Sequence, residues 1–411
     1  MLKNFWWPVE IADRVTSKPH PMTALGQKFV LWRDSKGEVH CLSDLCVHRG
    51  GSLAGGWLTA DKDDIVCPYH GWEFGGDGGC TKIPAHPQRG IPKKARVDSY
   101  PVVERYGLIW TFLGDLAEEE RPPIPDIPEL EDPRFKKVYG EFFWNVNYER
   151  ALENGMDPSH APYVHGNRFG NLDKPDVADF EVQTNQWSGL AQIPLYPPVT
   201  NSKGAWGKLF RKSAKEAQAE EFRLDTKAGY YMPNMNLLSV PLPFGTMFLF
   251  DCHVPISENR TRTIYISLRD FLKGDWADKD THRRVQYIFK QDDDVISMQR
   301  PELIPFKLSD ELPVRSDALQ VAYRRRRAEL IEAGWGIDMH QIVGDGPRDV
   351  AVVIPSPARK NNPELANAWV HKEVQSAQLL GIDRTGHGTS PAIDEAVDAS
   401  SSNAADAGIT A

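Results

Sequence analysis

The sequence predicts an α+β protein in which a small all-β first third precedes a larger domain of antiparallel strands and helices. Short alternating apolar runs, Lys28–Trp32 and Leu108–Phe112, are separated by glycine-rich turns over residues 1–120. A proline-dense stretch then blocks helix, and residues 121–133 read as an extended linker between domains. Residues 134–355 combine a helical segment near 147–165, β-like runs at Thr246–Phe250 and Thr263–Leu268, and a long helical stretch at 276–300, which together make an α+β domain. Residues 356–381 read as a C-terminal extension. The last stretch, 382–411, is rich in Ala, Ser, Asp and Gly with almost no large apolar side chain, and reads as a disordered tail.

The chain has 411 residues, 41% of them hydrophobic, enough for a large buried core. A net charge of −9 gives no electrostatic reason to expect nucleic acid or an anionic membrane as a main partner. The first residues are too charged for a signal peptide, and no run approaches the ~20 apolar residues of a bilayer span. A cytoplasmic location is the expectation. Five cysteines do not form a disulfide framework, so the question becomes which of them bind metal. The glycine cluster at 75–79 does not open a helix after a strand and reads as a tight turn, not a phosphate-binding loop.

Cys46 and His48 flank one residue, eighteen residues intervene, and Cys67 and His70 flank two more. Two cysteines and two histidines at such spacing form a metal site, and both iron and zinc accept this donor set. Zinc knuckles usually pair Cys with Cys and His with His. Here each half supplies one of each, which better fits a [2Fe–2S] cluster with two thiolates on one iron and two imidazoles on the other. The flanking residues, Arg49–Leu53 after the first pair and Pro68–Phe74, Gly78–Cys80 and Ile83–Pro84 around and after the second, closely resemble the Rieske domain of ring-hydroxylating oxygenases. Cys41, Cys80 and Cys252, with His253, are expected to be packing residues.

A second constellation lies in Glu153–His165, where Asp157, His160 and His165 share one helical segment interrupted by Pro158 and Pro162. Histidines five apart cannot share a face of a regular helix, so local unwinding is required, and the prolines supply it. An iron centre for oxygen chemistry also needs a carboxylate and open positions. The resemblance to Rieske oxygenases implies that this carboxylate comes from a late helix, here within Lys290–Pro301. It places the ligand at Asp292, with Asp293 and Asp294 as competitors on more outward-facing helical positions.

The same resemblance implies that Asp157 bridges His160 to the His70 of a neighbouring subunit in a homotrimer, and that Asn154 sits near the iron. It further implies hydroxylation or oxidative demethylation of a cyclic substrate by O2. With no dinucleotide fingerprint and no ferredoxin-like four-cysteine run, electrons must come from a separate NAD(P)H-dependent reductase or a ferredoxin. An electron-transfer Rieske protein without oxygenase activity is the alternative. Trp187, Tyr196, Trp206, Tyr230, Tyr231, Met232, Met235, Leu237, Phe244 and Phe248 are available to core or pocket. Residues 204–222 read as a lid or a surface helix. Tyr323–Arg327 reads as a solvated helix face, with a docking patch for an acidic ferredoxin as the sharper reading.

Overall fold

A computed structural model of the chain describes residues 1–166, 170–196, 224–242, 244–343 and 347–377. The expected tail at 382–411, the expected lid at 204–222 and Trp206 lie outside the described residues.

The first third is all β. Strands β1 (Phe5–Ile11), β9 (Val102–Arg105) and β10 (Leu108–Leu113) form one three-stranded sheet; β2 (His20–Ala24), β3 (Gln27–Arg33) and β4 (Val39–Ser43) form another. Four short strands, β5 (Trp57–Leu58), β6 (Ile65–Val66), β7 (Glu73–Phe74) and β8 (Cys80–Lys82), make a third sheet that carries the cysteine loops. Alternation along β3 divides its side chains between two cores. Val30 and Trp32 pack with Cys46, Cys67 and Phe74, while Phe29 and Leu31 join the main core of the molecule. Cys41 is buried in that main core, and Cys80 packs against the cluster-loop core with its thiol donating to the Lys82 carbonyl at 3.4 Å.

The proline-rich segment is pinned to the first domain. Ile127 and Leu130 are fully buried beside Trp110, and the Tyr106 hydroxyl accepts from the Ile127 amide at 3.0 Å. Beyond it stands a seven-stranded antiparallel sheet in the order β11-β17-β16-β15-β14-β13-β12. Its strands are β11 (Lys136–Trp144), β12 (Val182–Thr184), β13 (Ser188–Leu195), β14 (Leu224–Tyr231), β15 (Met235–Leu242), β16 (Gly245–Ser257) and β17 (Arg260–Arg269).

The two faces of this sheet have different partners. Phe250, Cys252, Ile264 and Ile266 pack on Leu108, Trp110 and the linker. On the other face, Leu249 and Tyr265 meet a long helix, Asp278–Ile296, through its Val285 and Phe289. Two shorter helices, α1 (Tyr148–Met156) and α2 (Ala161–Val164), precede the long one, which is therefore α3; α4 spans Ala318–Leu330. The Asn147 side chain caps α1 by accepting from the Glu149 amide at 2.9 Å. The segment after α4 returns to the first domain, where Arg359 makes two 2.8 Å hydrogen bonds to the fully buried Asp98.

Candidate metal centres

The two cysteine loops have the same backbone hydrogen bonding. In the first, the Cys46 amide donates to the Gly51 carbonyl at 2.8 Å and the Gly50 amide to the Cys46 carbonyl at 2.9 Å. In the second, the Cys67 amide donates to Trp72 at 2.8 Å and the Gly71 amide to Cys67 at 2.9 Å. Gly50 and Gly71 occupy matching left-handed positions, with φ of 69° and 70°, which a side chain would strain. The outcome is a paired cradle. Each loop turns its cysteine into the core and leaves its histidine toward the rim, and the His48 and His70 rings lie 4.5 Å apart. Trp72 stacks on His48 at 4.6 Å.

These four side chains fit an iron–sulfur cluster. Burial pushes the Cys46 thiol up to about 12, and the neighbouring Cys67 sulfur adds to the rise. Two buried sulfurs side by side lack a counter-charge that bound iron would supply. Glycine at position 51 keeps the approach open, since a Cβ there would sit 3.1 Å from the Cys67 sulfur.

The second group is assembled from two helical regions. Helix α1 ends at Asp157, whose extended backbone (φ −89°, ψ 111°) breaks the run before α2 begins after His160. This break lets residues five apart converge. The Nε2 atoms of His160 and His165 are 3.3 Å apart, and Asp292 Oδ1 on α3 lies 3.5 Å from the first and 3.3 Å from the second. Asp292 is buried, and this oxygen has no hydrogen-bond partner among the described residues.

Burial pushes the Asp292 carboxyl up to about 8, opposed by a hydrogen bond from the Asn154 side chain. Burial also lowers both imidazoles to about 4, with His160 contributing at His165. Neutral imidazoles facing an orphaned buried carboxyl oxygen fit a divalent cation, which needs those nitrogen lone pairs and neutralises the carboxylate. Two histidines and one carboxylate match the three-ligand pattern of non-haem Fe(II) sites that leave positions open for O2.

The neighbours of Asp292 sort differently from expectation. Asp294 is exposed beside Lys290. Asp293, expected to face outward, is buried and accepts from the Asn145 amide at 2.9 Å, tying α3 to the end of β11. The expected hydrogen bond from the His160 ring to the Asp157 carboxylate is not formed. Asp157 Oδ2 lies 3.8 Å from His160 Nδ1, Oδ1 instead accepts from the Ser159 amide at 2.7 Å, and His160 Nδ1 has no side-chain partner among the described residues. Burial raises the Asp157 carboxyl.

A cavity of about 310 Å³ adjoins Asn154, Asp157 and His160. Its far wall is charged: Arg324 pairs with Glu153 and, at 2.7 Å, with Glu311, which Arg150 meets at 2.9 Å. The basic run on α4 is therefore not a solvated face. Tyr323 is fully buried, Arg324 lines this cavity, and Arg327 pairs with Glu149. Tyr230 and Met232 belong to the main core, Tyr231, Met235 and Leu237 to the second, and Trp187 stacks on Trp335 at 6.0 Å.

Two residues escaped the sequence reading. Asp251, in the apolar run of β16, is a buried carboxyl raised by desolvation and by Asp292, and its Oδ1 has no partner among the described residues. A charge inside Phe248–Cys252 was the available signal. Gln291 places Oε1 3.3 Å from His165 Nδ1, and only its position beside Asp292 hinted at this. His253 is buried and held between Asn236 Oδ1 at 2.8 Å and Thr263 Oγ1 at 2.7 Å.

Residues 5–101 match the Rieske [2Fe-2S] domain and residues 144–333 the vanillate O-demethylase oxygenase C-terminal domain. Methylxanthine N1-demethylase NdmA of Pseudomonas putida is 28% identical over 81% of this chain and 90% of its own length. The oxygenase component of dicamba O-demethylase from Stenotrophomonas maltophilia is 37% identical over 47% of this chain and 56% of its own. Chlorophyllide a oxygenase of Chlamydomonas reinhardtii is 36% identical over 44% of this chain, a match spanning 27% of that longer protein.

The structure of dicamba monooxygenase bound to 3,6-dichlorosalicylic acid superposes with a TM-score of 0.64 at 26% identity, covering 81% of this chain and 99% of that one. NdmA does so with 0.64 at 23% identity, covering 84% and 97%, a likeness of fold. With its two domains and two metal-fitting groups, the chain is a Rieske-type non-haem iron oxygenase. Within that class it belongs with the terminal oxygenase, or alpha, subunits that carry a vanillate-demethylase type of catalytic domain. The matched C-terminal oxygenase domain leaves the electron-transfer alternative without support.

Proposed function

We propose that the chain hydroxylates or oxidatively demethylates a cyclic, partly apolar substrate, using O2 and electrons from a separate ferredoxin or NAD(P)H-dependent reductase. The observation that carries this reading is the convergence of His160, His165 and Asp292 within 3.5 Å in a chain that also holds the paired cysteine cradle. Cys46, His48, Cys67 and His70 would hold the [2Fe–2S] cluster, and His160, His165 and Asp292 a single Fe(II). When bound, the cluster supplies one-electron storage and the iron supplies O2 activation beside the substrate. The ring systems named in the relatives, methylxanthines, dicamba and chlorophyllide, support a cyclic substrate.

The protein's own residues support the remaining assignments. Asn154 holds one side of Asp292, and Asp157 stands at the mouth of the charged cavity beside His160. The cluster loops end in exposed His70 and Tyr69, the latter 65% exposed, and the cavity rim carries Leu312, 89% exposed. An apolar rim around a buried acid suits the histidine tip of a second copy, with Asp157 as the bridge and a homotrimer as the closed assembly. The working domain division is 1–120 for the cluster domain, 121–133 for the linker, 134–355 for the catalytic domain and 356–381 for the extension. No described helix is long and apolar enough to cross a membrane, and we place the protein in the cytoplasm.

The deciding experiment is the iron, zinc and acid-labile sulfide content of protein purified without oxygen. About three iron and two sulfide per chain are expected. Zinc without sulfide overturns the reading, and iron and sulfide at about two each remove its oxygenase half.

A further inference from the structure

We propose that Gln291 is a positioning residue for the second centre: its side-chain carbonyl accepts the Nδ1 proton of His165 and so turns the Nε2 lone pair toward the metal. This rests on the reading of His160, His165 and Asp292 as metal ligands. The geometry comes from two successive residues of α3. Gln291 Oε1 lies 3.3 Å from His165 Nδ1, while Asp292 Oδ1 lies 3.3 Å from Nε2 of the same ring. One turn of helix thus addresses both nitrogens of one imidazole.

The chemistry follows from the tautomer. A neutral imidazole carries one proton, and only the other nitrogen can donate a lone pair to a metal. An acceptor at Nδ1 keeps the proton there and fixes the ring's rotation, leaving Nε2 aimed at His160 Nε2, 3.3 Å away, and at the buried Asp292 oxygen. His160 has no side-chain acceptor of this kind among the described residues. The Asp157 carboxylate is 3.8 Å from its Nδ1, and the contact that ring makes is with the Asp157 main chain. The two imidazoles are therefore unequal: His165 is oriented from within the chain, and His160 is left for Asp157 to orient.

Three proteins separate this role from packing: the unsubstituted full chain, Gln291→Leu and Gln291→Glu. Leucine keeps the bulk and removes the acceptor; glutamate keeps the acceptor and cannot donate. Each is stripped of its mononuclear metal with a chelator while the cluster is retained, then titrated with Co(II) against a competing chelator. The Co(II) electron paramagnetic resonance signal is recorded with the cluster oxidised.

Gln291→Leu is expected to bind Co(II) about 10- to 100-fold more weakly with a changed signal. Gln291→Glu is expected to bind at least as tightly as the unsubstituted protein. All metal-free forms should melt alike. Equal affinity and signal in all three proteins overturns the proposal, and so does equal weakening in both variants, which would mark a packing role. Failure of the unsubstituted protein to take up Co(II) overturns the metal-centre reading itself, an outcome distinct from either of these.

Discussion

The cluster cradle is built from two hairpin-like loops between residues 46 and 70 that repeat one hydrogen-bond pattern, whereas the second centre joins a broken helix at 157–165 to a carboxylate on α3. In the cradle, backbone bonds within each loop hold the cysteines before any metal arrives. In the second centre, position depends on packing α1 and α3 against the same face of the large sheet. Local repetition makes a site that can be read residue by residue. Assembly across the fold makes one whose members can be nominated but whose support comes from elsewhere.

The largest expected effect tests whether the two centres are separable. Asp292→Ala should abolish iron binding at the second centre while leaving two iron and two sulfide in the cradle, about one cluster per chain. Asp293→Ala should keep the iron yet lower stability by ~1–3 kcal/mol, because the Asn145 amide at 2.9 Å loses its buried acceptor. Asp294→Ala, at an exposed position, should change neither. Metal analysis with urea unfolding reads all three. An emptied site in Asp293→Ala or Asp294→Ala alone would move the ligand assignment off Asp292.

A smaller effect on composition, though large on rate, concerns the link between the centres. Asp157→Ala should retain both metals but slow O2-dependent reoxidation of the chemically reduced cluster by roughly 100-fold, in the range seen when a partner of a metal-bound histidine is lost. Asp157 is already buried beside His160 with its carboxylate 3.8 Å from the ring Nδ1, so a further contact, such as a neighbouring subunit's, is what would draw the two side chains together. Unchanged reoxidation in this variant would leave the two centres connected by some other route.

Much of the architecture was legible because it rests on local chemistry. The alternation in β3, the proline-dense linker and the cysteine and histidine spacings each act over a few residues. The α1–α2 break was readable too, since prolines at 158 and 162 disturb any helix. What stayed hidden depends on partners distant in sequence. Four consecutive arginines read as a solvated face until Glu149, Glu153 and Glu311 arrive from other elements. Asp293 reads as outward until the backbone at Asn145 claims it, and Tyr230 and Tyr231 of β14 with Met235 and Leu237 of β15 show their role as core only once the first domain packs beneath the sheet.

The smallest effect asks how firmly the two halves are joined. Glu10 on β1 accepts from Arg262 on β17 at 2.9 and 3.0 Å and meets His20 at 3.0 Å, so one buried carboxylate ties the first domain to the catalytic sheet. Burial alone would raise its pKa, but the hydrogen bonds from His20 and Arg262 outweigh that and hold it down at about 2, below the ordinary 4.5. A folded-state value below the unfolded one means that the stabilisation is complete above about pH 4.5 and is lost as pH falls toward 2. Glu10→Gln should therefore lower stability by on the order of 2 kcal/mol at pH 7. The difference in melting temperature between variant and wild type should hold steady from pH 8 to about 5 and narrow only below about 4.5. A gap that stays unchanged down to about pH 3 would leave the Glu10–Arg262 pair as a passive contact between the halves.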